Sequence, residues 1–290
     1  MKYLYNFTFL LFVSTLGTSN IYAACSGSDC CAVSSGVTTA PIGDNCETEP
    51  ESYGITLYEK YLCTAKPTVP ASGTAYDLSV GTTCFQTFQS SSGSTIDIST
   101  TTTGSSFSGT MTRPPNGVYT HGVMVIKSEF RIKQDLEFST SVTADNGGAG
   151  RFCVTTSNTG DEDDGVSLSC SATDQAAGAA GIFTAELTTF GDSCAAFDAR
   201  ADATFTSGDI IEAWLLNTDN ELAANCTESA AKDRIFGVQT FAIPVVVTKD
   251  TSGFNMAFGA SSGSSIWQNF DDSYSVGSGP FKVIITPTNY

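Results

Sequence analysis

Three kinds of residue in this chain could do chemistry: one histidine, ten cysteines and thirty acidic side chains. His121, which follows Tyr119-Thr120, could act as a general base, since an imidazole titrates near neutral pH. Serines and aspartates are so numerous that no catalytic triad can be assigned to it from spacing, and catalytic zinc sites with histidine ligands normally need more than one. We therefore interpret His121 as a strand-end residue that forms local hydrogen bonds.

The acidic residues suggest a metal site in one place. The run Asp161-Glu162-Asp163-Asp164-Gly165 puts four carboxylates into one turn, and calcium prefers about six to eight oxygen ligands. The run departs from the EF-hand pattern, because Gly165 occupies a ligand position. Asp161, Asp163 and Asp164 are candidate calcium ligands, and the alternative is a solvated hairpin tip.

A carbohydrate site is a second candidate. The run Trp267-Gln268-Asn269-Phe270-Asp271-Asp272 mixes aromatic and hydrogen-bonding groups, as sites for small polar ligands do. Trp267, Asn269 and Tyr274 are its candidate ligand-binding residues. Trp214 lies among isoleucines and leucines, so we expect it in the core instead.

An enzyme is the third candidate. Two-carboxylate glycoside hydrolysis needs a pair of acids flanking the substrate, and thirty acids offer many pairs. Glu129 with Glu137 and Asp271 with Asp272 are examples, but no motif favours them. We assign no catalytic residue, and calcium is the only cofactor considered.

The cysteines indicate an oxidising compartment. Disulfides persist outside the cytosol, zinc-binding thiolates prefer a Cys-x2-Cys knuckle that is absent here, and an even number of cysteines can pair completely. Spacing favours the local bridges Cys63–Cys84, Cys153–Cys170 and Cys194–Cys226. All ten cysteines are disulfide candidates: Cys25, Cys30, Cys31, Cys46, Cys63, Cys84, Cys153, Cys170, Cys194 and Cys226.

Residues 1–23 have the layout of a secretory signal peptide. Lys2 precedes the apolar run 7–13, and small residues follow at Ala23-Ala24. We expect export to the periplasm, the cell surface or the medium. Cys25 directly after Ala24 resembles a lipoprotein site, but lipidation would leave one of the remaining cysteines unpaired, which disfavours it.

Charge limits the partners. The net charge of −17 repels nucleic acid and anionic lipid headgroups, and no apolar stretch after the signal reaches membrane-spanning length. We expect no nucleic acid partner and no membrane span. The expected partners are other cell-surface or extracellular components, including further copies of this chain or a polysaccharide.

The hydrophobic pattern has the two-residue period of β-strands. Tyr53, Ile55, Leu57 and Tyr61 alternate with Gly54, Thr56 and Lys60. A second set of apolar residues shares the even-numbered parity: Met124, Ile126, Phe130, Ile132, Leu136, Phe138 and Val142. This second pattern predicts a long bent strand, or two strands joined at Gln134-Asp135. Pro244 lies inside another apolar run, 235–248, and predicts an edge strand or a bulge there.

These patterns predict an all-β, disulfide-stapled protein, built as an antiparallel β-sandwich of the Ig-like or Greek-key type or as two packed β-domains. Residues 24–50 form a cysteine-rich, irregular lead-in. A first half, 51–145, and a second half, 146–290, meet at a glycine-rich stretch, which is either a seam between domains or a hairpin loop within one continuous domain.

The lead-in, the run Glu49–Thr64 and the run Gly117-Val118-Tyr119-Thr120-His121 together resemble a group of uncharacterised exported, cysteine-rich β-sandwich proteins of marine bacteria. The resemblance covers about a third of the chain and implies a β-sandwich without implying an activity. With no cofactor or nucleophile motif, we expect a structural or adhesive protein of the cell surface or the medium. The alternatives are a carbohydrate- or calcium-dependent binding module and a two-carboxylate glycosidase.

Overall fold

A computed structural model of the chain describes residues 30–43, 45–78, 83–97, 107–160, 166–176, 178–191, 197–226, 233–269 and 271–290. The predicted signal peptide, the candidate calcium ligands and two of the cysteines, Cys25 and Cys194, lie outside these ranges. The predictions that concern them therefore stay predictions.

Within the described ranges the chain forms strands and no helix, as the sequence predicts. Threonine, valine and aromatic residues favour the pleated conformation, and glycine, serine and asparagine supply the turns. In chain order the strands are β1 (Val33–Ser34), β2 (Val37–Thr38), β3 (Asn45–Thr48), β4 (Ser52–Cys63), β5 (Cys84–Asp97), β6 (Thr110–Met111), β7 (Gly117–Lys127), β8 (Glu129–Lys133), β9 (Asp135–Ala144), β10 (Ala149–Thr155), β11 (Thr159–Gly160), β12 (Leu168–Ser171), β13 (Phe183–Glu186), β14 (Arg200–Thr204), β15 (Ile210–Leu216), β16 (Arg234–Val247), β17 (Thr251–Gly259), β18 (Ser264–Gln268), β19 (Ser273–Ser278) and β20 (Lys282–Asn289).

The strands form two large sheets and one small ribbon. Sheet 1 has the order β1-β2-β9-β19-β18-β3, with β10 and β12 added beside β9. Sheet 2 has the order β11-β13-β8-β4-β7-β16-β15-β14, with β5 and β6 added beside β4. The ribbon pairs β17 with β20. Most pairs are antiparallel as predicted, but β2–β9, β19–β9 and β11–β13 are parallel, and none of these three pairs is a hairpin.

The two large sheets share one hydrophobic core. Tyr53 and Leu57 of β4 face Phe138 of β9 and Ile266 of β18, and all four side chains are fully buried. The long even-numbered apolar pattern runs through β7, β8 and β9, and the chain crosses from sheet 2 to sheet 1 at Gln134. One continuous pattern thus serves two sheets, with the junction where the sequence predicts it.

Both sheets combine strands from the two halves predicted at 51–145 and 146–290. Sheet 2 places β4 and β7 beside β16 and β15, and sheet 1 places β9 between β10 and β19. The glycine-rich stretch after Ala144 is the turn of the β9–β10 hairpin. In β16, the ladder to β7 is interrupted between Thr240 and Val245; Pro244, which has no N–H to donate, lies in this bulge.

Disulfide bonds staple neighbouring strands. No described cysteine is free, and Cys30 and Cys226 are among those that are disulfide-bonded. The predicted bonds Cys63–Cys84 and Cys153–Cys170 are confirmed, and each joins residues directly opposite each other in a ladder. Three bonds join cysteines that both lie in the described ranges: Cys31–Cys46, Cys63–Cys84 and Cys153–Cys170.

Sheet 2 also carries a smaller core on its outer face. Val123, Val125, Trp214 and Phe236 are buried there, and the segment between β4 and β5 covers them through Tyr76, whose ring centroid lies 4.9 Å from that of Phe236. Trp214 is therefore a core residue, as its aliphatic neighbours predict.

Candidate ligand-binding cleft

The structure does not bring the three predicted sugar-binding residues onto one exposed face. The β18–β19 register sets Trp267 opposite Ser275 and Gln268 opposite Tyr274, so Trp267 and Tyr274 point to opposite faces of the hairpin. Tyr274 is buried with its ring 5.4 Å from that of Phe138. The Asn269 amide donates to Ser275 Oγ at 2.7 Å, and both groups belong to the hairpin end.

The Trp267 indole ring covers Gly277 rather than standing free. A Cβ atom at position 277 would come within 2.3 Å of the ring, so only glycine allows this contact. The small hollow beside the ring is lined by β13 residues such as Phe183 and Ala185. Trp267 is half-buried and does not line the cleft that is described below.

The acids of the two example carboxylate pairs form ion pairs or hydrogen bonds with nearby groups. Glu129 pairs with Lys127, and Glu137 pairs with Arg151 at 2.6 Å; the two acids lie in different sheets. Asp271 and Asp272, the second pair, lie at the β18–β19 turn. Asp271 accepts from the Ser273 N–H and Asp272 accepts from the Gln268 side-chain amide. Among the described residues, no group of three or more histidine, cysteine or acidic side chains could hold a metal ion.

His121 lies inside β7 rather than at its beginning. Its Nδ1 is 2.8 Å from the Thr120 hydroxyl, which is the local hydrogen bond that the sequence predicts. Partial burial and the charge of Lys66 lower its pKa. The residue faces Cys63 across the ladder, and nothing in this arrangement points to catalysis.

A cleft of about 500 Å³ lies between the inner face of sheet 2 and the start of β20. The inner face is the one that carries Tyr53, Leu57 and Met124. Near β8 this face packs against sheet 1, whereas near β14 and β15 it faces the cleft.

Small side chains produce the cleft. The register across sheet 2 aligns Lys60 of β4 with Met124 of β7, Gly237 of β16, Ala213 of β15 and Ala201 of β14. The last three have little or no side chain to fill the space above the sheet. A Cβ atom added at Gly237 would meet one backbone oxygen, at 3.8 Å, and otherwise open space.

The β20 strand and the residues just before it form the opposite wall. The Gln239 side chain clamps β20 onto sheet 2: its Nε2 donates to the Val283 carbonyl, and its Oε1 accepts from the Val283 N–H, both at 2.9 Å. Phe281 closes one end, with its ring centroid 5.6 Å from that of Tyr53. These two hydrogen bonds fix the distance between β20 and sheet 2.

Lys60 is the one basic side chain that lines the cleft. Its residue is 5% exposed, and burial lowers the pKa of its ammonium group to about 8. In the part of the chain that the structure describes, no carboxylate and no hydrogen-bond acceptor pairs with its Nζ. The Nζ atom is not among the fully enclosed side-chain atoms that lack a partner, so it borders the space of the cleft, and an ammonium group in such an apolar setting gains from a counter-ion.

A β-bulge turns Lys60 inward. In β4 the inward residues are Tyr53, Ile55 and Leu57, but the pairing with β7 shifts between Leu57 and Glu59. The extra residue reverses the alternation, so Lys60 faces the cleft and Tyr61 faces outward. Strict alternation groups Lys60 with the polar set of β4, and this assignment is wrong for that reason.

Acidic groups lie at the rim of the cleft rather than beside Lys60. Glu47 of β3 and Asp202 of β14 line it, and Asp202 is exposed. Burial is the cause of the lowered pKa of Lys60, and neither acid contributes to the shift. The cleft therefore combines an apolar interior, one buried cation and a polar rim.

One serine motif was not identified from the sequence. The run Gly259-Ala260-Ser261-Ser262-Gly263 has the spacing of a nucleophile elbow, which requires a strand-to-helix turn. Here it joins β17 to β18, two strands, and closes with a hydrogen bond from the Gly263 N–H to the Ala260 carbonyl at 2.9 Å. The motif is a turn between strands.

No family model, no curated protein and no solved structure matches this chain. The resemblance to exported β-sandwich proteins of marine bacteria stays a prediction. No helix of the described residues is long and apolar enough to cross a membrane.

Proposed function

We propose that this protein is exported and that it binds small apolar or amphiphilic molecules in the cleft of sheet 2. The observation that carries the proposal is the cleft itself. Its volume of about 500 Å³ falls within the roughly 300–1,000 Å³ typical of ligand pockets. Its floor is made of glycine, alanine and methionine, and Lys60, the one basic residue among the described lining residues, has no partner for its Nζ in the described part of the chain.

Two further observations support export and a passive role. Three disulfides within the described residues require an oxidising compartment to form and persist. The described lining residues include no histidine and no cysteine, so among them there is no imidazole general base and no thiol nucleophile. Binding is the function that this set of groups supports best.

The test is binding of the neutral fluorophore N-phenyl-1-naphthylamine by the oxidised protein. We expect saturable fluorescence enhancement in the wild type and at least a tenfold weaker response in Gly237→Leu, because the new side chain would occupy the open space above that residue. The matched control is Ala242→Leu, on an exposed position of the same strand. Equal binding by all three proteins, or none by the wild type, would refute the proposal.

A structural or adhesive role is the second candidate, and an exposed apolar strip favours it. Val118 and Val246 face each other across β7 and β16 and are 52% and 49% exposed, and Ile243 in the adjoining bulge is 85% exposed. A strip of this kind favours self-association of copies of this chain. Sedimentation should show association that Ile243→Asp weakens and Val33→Asp, at an exposed valine elsewhere, leaves unchanged; a monomer at all concentrations would exclude this role.

A further inference from the structure

We propose that the ligand of the cleft carries an anionic group, in the manner of a medium-chain carboxylate, and that this group pairs with Lys60 while its apolar chain lies along the floor of the cleft. The inference rests on the proposed binding function and adds to it the chemical class of the ligand and the residue that recognises it.

The position of Lys60 is the first argument. It lies in the middle of the inner face, flanked by Phe88 of β5 and Met124 of β7, so its ammonium group has apolar side chains on both sides. The backbone carbonyl of Lys60 accepts from the Thr87 hydroxyl at 3.2 Å, which holds this part of β4 in place. The bulge just before it fixes the side chain on the cleft side.

The missing partner is the second argument. All described lysines other than Lys60 form an ion pair with a carboxylate. They are Lys66, Lys127, Lys133, Lys249 and Lys282. These five are all more exposed than Lys60. The most deeply buried lysine is thus the one without a counter-ion, and a buried ammonium gains most from an anion that arrives with the ligand.

The acidic rim is the third argument, because it selects the orientation. Asp202, an exposed residue of the lining, repels an anion that stays at the mouth, and the whole chain carries a net charge of −17. An anionic group therefore has one favourable position in this cleft, which is next to Lys60. A cationic or neutral head would instead stay at the rim and leave Lys60 unpaired.

The experiment compares three ligands of equal chain length, decanoate, 1-decanol and decyltrimethylammonium, by calorimetry at pH 7 on the disulfide-bonded protein. We expect decanoate to bind the wild type about ten- to a hundredfold more tightly than 1-decanol, the ratio typical of a hydrogen bond to a charged group. Shortening the carboxylate should weaken binding about fourfold per methylene.

Variants locate the effect. Lys60→Met keeps an unbranched side chain, one heavy atom shorter and without the charge, and should abolish the preference for decanoate while leaving 1-decanol binding intact. Lys249→Met removes an exposed lysine in the turn between β16 and β17, and this variant should behave as the wild type does. Circular dichroism checks that each variant is folded, and the wild-type comparison tests the inference without any variant.

The outcomes separate the inference from the proposed function. If no ligand of the three binds, the binding function fails and the inference fails with it. If 1-decanol or decyltrimethylammonium binds the wild type as tightly as decanoate does, the cleft binds ligands but the anionic specificity is refuted. If decanoate is preferred and Lys60→Met retains that preference, the anion is recognised elsewhere and Lys60 is not the partner.

Discussion

Two parts of the inner face of sheet 2 share one strand, β4, and differ in what covers them. At its beginning, Tyr53 and Leu57 pack against sheet 1 with side chains such as Phe138. At its end, Lys60 faces a cleft whose floor is Gly237 and Ala213. We call these the packed part and the open part.

The difference shows that side-chain volume, rather than topology, decides where this fold has a site. Both parts belong to the same hydrogen-bonded ladder, and strand pairing continues through them. In the packed part, bulky aromatic and branched residues fill the space between layers to the density of a protein core. In the open part, small residues and the Gln239 clamp on β20 leave a volume that a ligand can occupy.

The largest expected effect comes from truncating one large side chain in each part. Phe138→Ala should lower the free energy of unfolding by about 3–5 kcal/mol, because it loses transfer energy and leaves a cavity. Met124→Ala should cost about 1 kcal/mol, since its side chain already borders open space. Denaturant melts under oxidising conditions measure both, and similar losses would mean that the cleft is closed in solution.

Sequence patterns predicted the packed part better than the open part. The even-numbered run from Met124 to Val142 identified the inward faces of β7, β8 and β9, since burial on one face imposes the two-residue period. Direct cross-strand neighbours such as Cys63 and Cys84 followed from short spacing. The coarse fold and two disulfides were therefore accessible without the structure.

The open part could not be predicted from the sequence pattern, for a physical reason. A bulge is one extra residue in one strand, and it reverses the facing of every residue after it, so Lys60 appeared to belong to the solvent side. Gly237 and Ala213 carry no pattern of their own, because a missing side chain leaves no periodic signal. Only the register across four strands brings them together with Lys60.

A smaller effect should come from adding one methyl group in each part. Gly150→Ala, where the new Cβ atom would lie 1.9 Å from the Ser171 backbone, should destabilise the protein by about 1–3 kcal/mol through overpacking. Gly237→Ala should be neutral or stabilise it by up to about 1 kcal/mol, because the site has room and the unfolded chain loses freedom. Thermal melts at one pH compare the two, and an equal loss at both positions would contradict an open cleft at Gly237.

The smallest expected effect is the pH dependence that Lys60 confers. Its pKa is about 8 in the folded chain and 10.5 when unperturbed, so between these values the unfolded chain holds more protons than the folded one. The free energy of unfolding contributed by Lys60 therefore rises with pH in this window. Relative to Lys60→Met, the wild type should gain about 1–2 kcal/mol between pH 8 and pH 9.5.

Comparing the wild type with Lys60→Met cancels the tyrosines, whose raised pKa values act in the opposite direction above pH 10. Denaturant melts of the two proteins across this range, with Lys249→Met as the exposed control, measure the difference. The packed part offers no counterpart, since burial raises the pKa of Tyr53 and keeps it neutral, against the opposing effect of its hydrogen bond with Ser278 at 2.6 Å. A flat difference between the wild type and Lys60→Met would mean that the Lys60 ammonium reaches water, and the cleft would then lack the buried cation on which its anion specificity depends.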